Sequence, residues 1–229
     1  IHVTDNAVMN SYILRSCFNN KVKHFIFTSC TVMYPSSKKP TKESDFNGKI
    51  IEKYKGVGET KVYIEKIAKF FSTLGQTKHT IIRHSNVYGP HDKYDLEKSH
   101  VFGATITKVM NAKNSLDVWG DGSEIRDFLH VNDLASFIKT VINKQKNVYE
   151  IYNCGSGVPI SIKKICHLIV KISKKPLKIN FNKNKPTISF DLHLNCEKAE
   201  KELGWKPKIT IEDGIKKTLI WWGKNIKNA

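Results

Sequence analysis

The chain has 229 residues, with 38 Lys and Arg against 21 Asp and Glu, which gives a formal net charge of +17. This length supports a hydrophobic core, and a hydrophobic content of 40% excludes a disordered composition. No apolar run approaches the roughly 20 residues that a membrane helix needs, so we expect no membrane-spanning segment. Five scattered cysteines without a CxxC spacing indicate reduced thiols in a cytosolic protein and no metal site.

The positive charge favours anionic partners. Its lysines are spread along the whole chain in short pairs such as Lys38-Lys39 and Lys216-Lys217 rather than in one basic stripe. This distribution does not favour nucleic acid as the main partner, and a phosphate-bearing small molecule fits the same charge. Salt-dependent DNA binding would separate the two interpretations.

The first half of the chain alternates helix and strand patterns. It predicts a helix over 5–19, a strand over 24–29, a loop over 34–53, a helix over 61–71 and a strand over 80–83. The 24–29 strand is a short apolar run that ends in small polar residues, which is typical of a buried parallel strand whose carboxyl end opens into a site. The 80–83 strand is also predicted to be buried, and it leads into His84-Ser85-Asn86.

The second half of the chain continues this alternation. It predicts helices over 100–113, 132–143, 161–172 and 212–222 and strands over 116–119 and 148–153. We expect the 132–143 helix to be capped by Asn132-Asp133. The fold class is therefore α/β: a partial Rossmann-like, doubly wound parallel sheet with a smaller mixed α/β C-terminal lobe that binds substrate.

The domain organisation follows from the glycines. A dinucleotide-binding fold needs a GxGxxG or GxxGxxG loop after an early strand, and Gly56 and Gly58 have no third glycine at that spacing. We expect the first βαβ units to be missing from this sequence. Residues 1–90 would form the C-terminal part of a Rossmann-like domain. Residues 91–229 would form mainly the substrate lobe, with about 120–155 returning to the sheet.

Five sequence blocks occur in a recognisable order. They are FTSCTVMYP over 27–35, RHSNVYGPHD over 83–92, SHV over 99–101, WGDG through RDFLHVNDL over 119–134, and LGWKP over 203–207. Together they resemble the extended short-chain dehydrogenase/reductases, the NAD(P)-dependent epimerase/dehydratase family that acts on nucleotide sugars, and within it the GDP-L-fucose synthase-like branch.

This resemblance implies a nucleotide-sugar epimerase or reductase that uses NADP or NAD. Its substrate would be a nucleotide-diphosphate sugar, such as a GDP-linked 4-keto-6-deoxy sugar or heptose. It also implies a homodimer formed through helices near residues 5–19 and 60–73. A catalytically silent remnant that binds a nucleotide sugar or a partner subunit is the alternative.

The resemblance also assigns the cofactor side of the site. The family uses a Tyr and a Lys four residues apart on one helix face, where the Lys holds the cofactor ribose and the Tyr moves a proton. Lys61 occupies the lysine position, but Val57 stands where the Tyr belongs, and an aliphatic side chain transfers no proton. Tyr54 is the nearest phenol, and it would substitute if a loop around Gly56 and Gly58 folds it back; otherwise it is a surface tyrosine. Thr28 and His84, at two strand ends, are expected near the cofactor.

Two further residues take catalytic assignments from the resemblance. Cys30 stands where the family has a Ser or Thr that hydrogen-bonds the sugar, and a thiol is a weaker donor. The alternative for Cys30 is a small buried hydrophobe. His100 lies fourteen residues after Asn86, the separation at which the fucose-synthase branch has its general acid.

The remaining assignments concern the substrate. Asn86, Lys108 and Arg126 are expected to bind the sugar or its diphosphate, and the planar fork of Arg126 suits phosphate oxygens. Trp119 and Val101 are expected to line the base or sugar pocket. The alternatives are a solvated lysine for Lys108, a surface ion pair for Arg126 and core packing for Trp119.

Overall fold

The structure is a computed structural model that describes residues 2–226. Its helices are α1 His2–Asn19, α2 Lys55–Phe71, α3 Val101–Asn111, α4 Val131–Lys144, α5 Ile162–Ser173, α6 Glu197–Leu203 and α7 Ile211–Asn225. Its strands are β1 His24–Thr28, β2 Lys78–His84, β3 Asn86–Tyr88, β4 Ser115–Trp119, β5 Ile125–Arg126, β6 Phe128–His130, β7 Tyr149–Cys154, β8 Ile160–Ser161 and β9 Lys178–Asn182. Two 3-10 turns, Glu43–Asp45 and Glu52–Tyr54, interrupt the loop before α2.

A three-stranded parallel sheet in the order β1-β2-β7 forms the centre of the first lobe. Consecutive side chains of the central strand β2 point alternately into two hydrophobic cores, so this strand is buried on both faces. Ile81 faces α1 and α2 in a core with Leu14 and Ile64. Ile82 faces a core on the other side that includes Phe137 of α4. Helices on both faces make this sheet doubly wound, as predicted.

A second hydrophobic core lies between α3, α5, α7 and the strands around them. Its fully buried members include Ile106 of α3, Ile165 of α5 and Ile215 of α7. Two-stranded sheets lie at the edges of this core. β4 pairs with β9 and β3 pairs with β6 in parallel, and β5 pairs with β8 in the antiparallel direction. The α/β class is therefore confirmed, while the division into 1–90 and 91–229 stays a prediction.

Two predicted boundaries were wrong. Helix α2 begins at Lys55, so Gly56 and Gly58 lie inside it and do not interrupt it. A Cβ added at Gly58 would come within 2.8 Å of Ile50, so this glycine permits close packing of the preceding loop. Helix α4 starts at Val131, and its cap is His130, whose Nδ1 accepts from the Asn132 amide at 3.2 Å.

Candidate functional site

A cleft of about 440 Å³ opens where the carboxyl ends of β1 and β2 meet the loop before α3. This is the position at which parallel α/β sheets bind ligands, because loops diverge there and backbone groups are free. Its lining includes the predicted residues Cys30, His84, Asn86, His100 and Val101. The structure therefore brings together five candidates from three separate segments of the sequence.

The end of β2 supplies the inner wall of the cleft. His84 Nδ1 lies 2.8 Å from the carbonyl oxygen of Ser85, to which it donates. Burial lowers the pKa of His84, the Ser85 hydrogen bond opposes the shift, and the positive charges of Lys61 and His100 add to it. The Ser85 hydroxyl is buried without a hydrogen-bond partner among the described residues. Asn86 donates to the Asp127 carbonyl oxygen at 3.0 Å, which orients its amide.

Lys61 lies beside this wall on α2. Its Nζ donates to the Thr28 carbonyl oxygen at 2.9 Å and lies 4.6 Å from the centroid of the Phe27 ring. Burial lowers the pKa of Lys61, and the acidic groups of Cys30 and Glu65 oppose that shift. The ammonium is thus held at the carboxyl end of β1, and Thr28 holds it through its backbone.

No phenol accompanies Lys61 at the family spacing. Val57 lies one helical turn earlier in α2 and is 43% exposed. Tyr54 does not fold back toward Lys61, because it precedes the first residue of a continuous helix and lies about 10 Å further along the axis. Its ring packs edge-on against Phe190, 5.7 Å between centroids. The contacts of Tyr54 are therefore those of a packing residue, contrary to its predicted catalytic substitution.

A buried ion pair fixes α2 to the sheet one turn after Lys61. Arg83 of β2 donates from Nη2 and Nε to the Glu65 carboxylate, at 2.7 and 3.2 Å, and Ser29 donates to the same carboxylate at 2.6 Å. Arg83 also donates to the Tyr34 hydroxyl at 2.9 Å. No motif in the sequence predicted this network. A Glu at helical spacing from Lys61, on an otherwise apolar face, was the available signal.

Cys30 lies in the cleft just after β1. Burial raises the pKa of its thiol, and the Val32 amide and Lys61 oppose the shift. The thiol is therefore protonated near neutral pH, so it serves as a weak hydrogen-bond donor rather than as a base.

His100 stands at the entrance of the cleft, immediately before α3. It is the N-terminal cap residue of that helix, and its side chain makes no capping hydrogen bond. Asp92 lines the same entrance; burial raises the pKa of Asp92, and the Lys93 amide, His100 and the Lys93 charge oppose that shift. Val101, the first residue of α3, adds an exposed apolar surface.

Lys108 and Trp119 form a separate cluster outside the lining of the cleft. Lys108 Nζ donates to the Asp117 carbonyl oxygen at 3.2 Å and lies 6.0 Å from the centroid of the Trp119 ring. Lys185 approaches the same ring at 5.7 Å. Trp119 is 54% exposed, which excludes the core-packing alternative.

The guanidinium of Arg126 donates its hydrogen bonds to backbone carbonyl oxygens of the protein. Nη1 donates to the carbonyl oxygens of Ile125 and Phe190, and Nη2 donates to that of Ile188 at 3.3 Å. Burial lowers the pKa of Arg126, and Tyr54 opposes the shift. These contacts anchor the 188–190 segment, so the free diphosphate clamp predicted for Arg126 is not what the structure contains.

Residues 2–226 contain no cluster of His, Cys, Asp and Glu that would hold a metal ion. No helix in the same range is long and apolar enough to cross a membrane.

A doubly wound parallel sheet with a ligand cleft at its carboxyl edge and a lysine on the adjoining helix defines the class of dinucleotide-dependent α/β proteins. The model of the NAD dependent epimerase/dehydratase family matches residues 2–155. The chain belongs to that family, as the motifs predicted.

Relatives and solved structures agree with this assignment. The chain is 26% identical to GDP-L-fucose synthase 1 of Arabidopsis thaliana, covering 97% of this chain and 70% of the relative. It is 25% identical to GDP-L-fucose synthase of Escherichia coli, covering 97% and 74%. It superposes on UDP-glucose 4-epimerase of Thermotoga maritima, crystallised with UDP-glucose, with a TM-score of 0.86 at 25% identity, covering 98% of this chain and 71% of that structure. The predicted likeness to nucleotide-sugar epimerases and reductases is therefore confirmed.

Proposed function

We propose that the chain is a nucleotide-sugar epimerase/reductase-like enzyme that acts on a GDP-linked 4-keto-6-deoxy sugar or heptose. The observation that carries this proposal is the cleft itself, where Cys30, Asn86 and His100 converge beside Lys61. The matched family and the GDP-L-fucose synthases among the relatives support this choice of substrate.

The residues at the carboxyl end of β1 and β2 fit the ribose end of NADP or NAD. Lys61 presents an ammonium there, and the buried Ser85 hydroxyl has no hydrogen-bond partner among the described residues. We propose that Lys61 binds the ribose and that His84 lies near the nicotinamide. When bound, the nicotinamide supplies hydride exchange with a sugar carbon. The pyrophosphate would need a glycine loop, which this sequence does not contain.

The protein groups divide between holding the sugar and moving protons. Asn86 and the Cys30 thiol hydrogen-bond the sugar, and Val101 contacts its apolar face. His100 is the general acid, because its imidazole stands at the open entrance of the cleft, where it can donate a proton to a bound sugar. Lys108 and Trp119 form a cation and aromatic pair that suits the base or diphosphate of the nucleotide.

The catalytically silent alternative rests on one specific observation, Val57 in the position of the family's proton-moving tyrosine. Without a phenol beside Lys61, proton transfer coupled to hydride exchange has no assigned donor on α2. Acid–base work at carbons beside a keto group does not need that phenol. We therefore expect epimerisation to be retained more readily than reduction.

Calorimetry and hydrogen exchange test the proposal together. A GDP-linked 4-keto-6-deoxy sugar is titrated into the protein, and the same mixture is incubated in D₂O with deuterium uptake at the sugar carbons read by mass spectrometry. His100→Asn is expected to remove formation of the epimer in the same mixture while binding persists. The matched control is His167→Gln, which changes an exposed histidine of α5. Binding without uptake in the unmodified protein would support the silent alternative. No binding would refute both the enzyme and the sugar-binding form of that alternative.

We further propose a homodimer through α1 and α2. Several large apolar side chains of these helices are exposed, including Met9, Tyr12 and Tyr63, at 51%, 65% and 45%. Such a patch favours association. Light scattering of Tyr12→Glu is expected to show monomer where the unmodified protein shows dimer. Leu96→Glu, in the loop before α3, is the control for an exposed apolar residue elsewhere. A monomeric state of the unmodified protein at micromolar concentration would refute the proposed homodimer.

A further inference from the structure

Removing a proton from a sugar carbon and replacing it on the opposite face requires two groups, a base on one side and an acid on the other. The proposed function assigns the acid to His100 and leaves the base without a residue. The assignment of a base therefore rests on that proposed function. The side chains of the cleft lining that could accept a proton include Asp92 and His91, which belong to the loop leading towards His100, and Cys30 and His84, which lie at the ends of β1 and β2. The two strand-end residues are the candidates on the inner wall.

Burial shifts the pKa values of Cys30 and His84 in opposite directions. Burial raises the pKa of the Cys30 thiol, so the form that accepts a proton is scarce near neutral pH. Burial lowers the pKa of His84, so its ring is neutral and has a lone pair available. Desolvation therefore disables Cys30 as a base and leaves His84 competent.

The hydrogen bond of His84 determines which ring nitrogen is free. Nδ1 lies 2.8 Å from the Ser85 carbonyl oxygen, which only accepts, so Nδ1 carries the proton. In a neutral imidazole the lone pair is then on Nε2. The carbonyl belongs to the next residue of the chain, so ring and acceptor stay together at the end of β2.

Two neighbouring groups act on the charge of His84 in the same direction. Lys61 from α2 and His100 from the segment before α3 are close enough to disfavour a positive charge on His84. Asp92 and the Cys30 thiol line the same cleft. His84 lies on the wall formed by the end of β2, and His100 comes from the loop that leads into α3, so two imidazoles reach the cleft from different elements.

We propose that His84 is the general base of this site, paired with His100 as the acid. In the forward step the C–H bond next to the keto group breaks, its proton passes to Nε2 of His84, and its electron pair forms the enolate. His100 then donates a proton to the opposite face of that carbon, a new C–H bond forms, and the ketone is restored. His84 releases its proton to water and His100 regains one, so atoms and charges balance without a redox partner.

Deuterium uptake by a GDP-linked 4-keto-6-deoxy sugar in D₂O tests the assignment. His84→Gln is expected to lower the rate of uptake by about 100-fold or more while calorimetric binding is kept. His167→Gln, which changes an exposed histidine of α5 outside the cleft, is the control and is expected to keep uptake within a few-fold of the unmodified protein. In the unmodified protein the rate is expected to rise as pH increases through the lowered pKa of His84, and His84→Gln is expected to lose that limb.

Imidazole ¹⁵N NMR of the unmodified protein gives a readout that does not depend on turnover. The signals of His84 are expected to show the Nδ1–H tautomer at pH 7 and to shift when the GDP-sugar binds. Uptake that survives in His84→Gln at the rate of the unmodified protein, or an Nε2–H tautomer, would overturn the assignment and leave the proposed function standing. Failure of the unmodified protein both to bind the sugar and to exchange would overturn both.

Discussion

Breaking the Glu65–Arg83 pair is expected to be among the most costly single changes in the first lobe. Both side chains are almost fully buried, with 5% and 4% exposed, and Arg83→Met would leave the Glu65 carboxylate with the Ser29 hydroxyl as its remaining hydrogen-bond donor among these groups. Removing one partner of a buried ion pair costs about 3–5 kcal/mol, because the other charge stays desolvated. The Tyr34 hydroxyl also loses a donor at 2.9 Å.

Urea unfolding followed by circular dichroism measures this cost. With a slope of about 3 kcal/mol per molar urea, we expect the midpoint for Arg83→Met to fall by about 1–1.7 M. The double variant Glu65→Leu, Arg83→Met removes both charges. It is expected to recover part of the loss, because matched apolar pairs often replace buried ion pairs at little cost. A midpoint shift below about 0.3 M for Arg83→Met would show that the pair does not fix α2 to the sheet.

Three further predictions concern α7, pH and α2. Gly214→Ala is expected to destabilise the protein by about 1–3 kcal/mol, because its Cβ would collide with the Tyr88 hydroxyl. Gly223→Ala in the same helix has room for a Cβ and is expected to stabilise the protein by about 0.5–1 kcal/mol. Thermal unfolding of both variants measures the two effects, and equal shifts would contradict this prediction. Burial lowers the pKa of four histidines, His24, His79, His84 and His130. The unfolded chain then binds more protons, so we expect the free energy of unfolding to fall as pH drops below about 6.5 and through the lowered pKa values; urea midpoints at pH 7.5 and 5.5 that agree would contradict this. Val57→Tyr is expected to change the free energy of unfolding by less than about 0.5 kcal/mol, because the site is 43% exposed. The new phenol is expected to have a pKa lowered by the charge of Lys61, which near-ultraviolet titration detects. An unperturbed phenol would show that the two side chains do not share a helix face.

The sequence predicted the first lobe well because its strands carry simple signals. β1 contains the apolar run Phe25-Ile26-Phe27, β2 has Ile81-Ile82 at its centre, and α2 has an amphipathic pattern over 61–71. The same logic missed α6, which has seven residues, and β9, whose residues alternate between exposed and partly buried. Short edge elements depend on the partners that cover them, and those partners are distant in the sequence.

The position of a site residue was predictable where the sheet topology determines it. It was not predictable where it depends on packing between distant segments. The end of β2 had to lie beside the end of β1 in a parallel sheet, so Cys30, His84 and Asn86 converge. The contacts of Arg126 with Ile188 and Phe190 were not predicted, because these residues lie more than sixty positions away in the sequence and no local pattern indicates them. Tyr54 was misjudged because two glycines were taken as a helix break, although a glycine pays only about 1 kcal/mol inside a helix and Gly58 is needed for a close contact.

The order of strands in the central sheet has a consequence for synthesis of the protein. Strand β2 pairs with β7, and His79 meets Tyr149, so the two halves of this ladder are 70 residues apart in the chain. A ribosome that adds about 5–20 residues per second needs roughly 4–14 s to cover that interval. During this time the β2 edge that β7 will occupy has no strand to pair with, and exposed strand edges recruit other chains. The nascent protein thus has a period of vulnerability to aggregation that a chaperone on the emerging polypeptide would shorten.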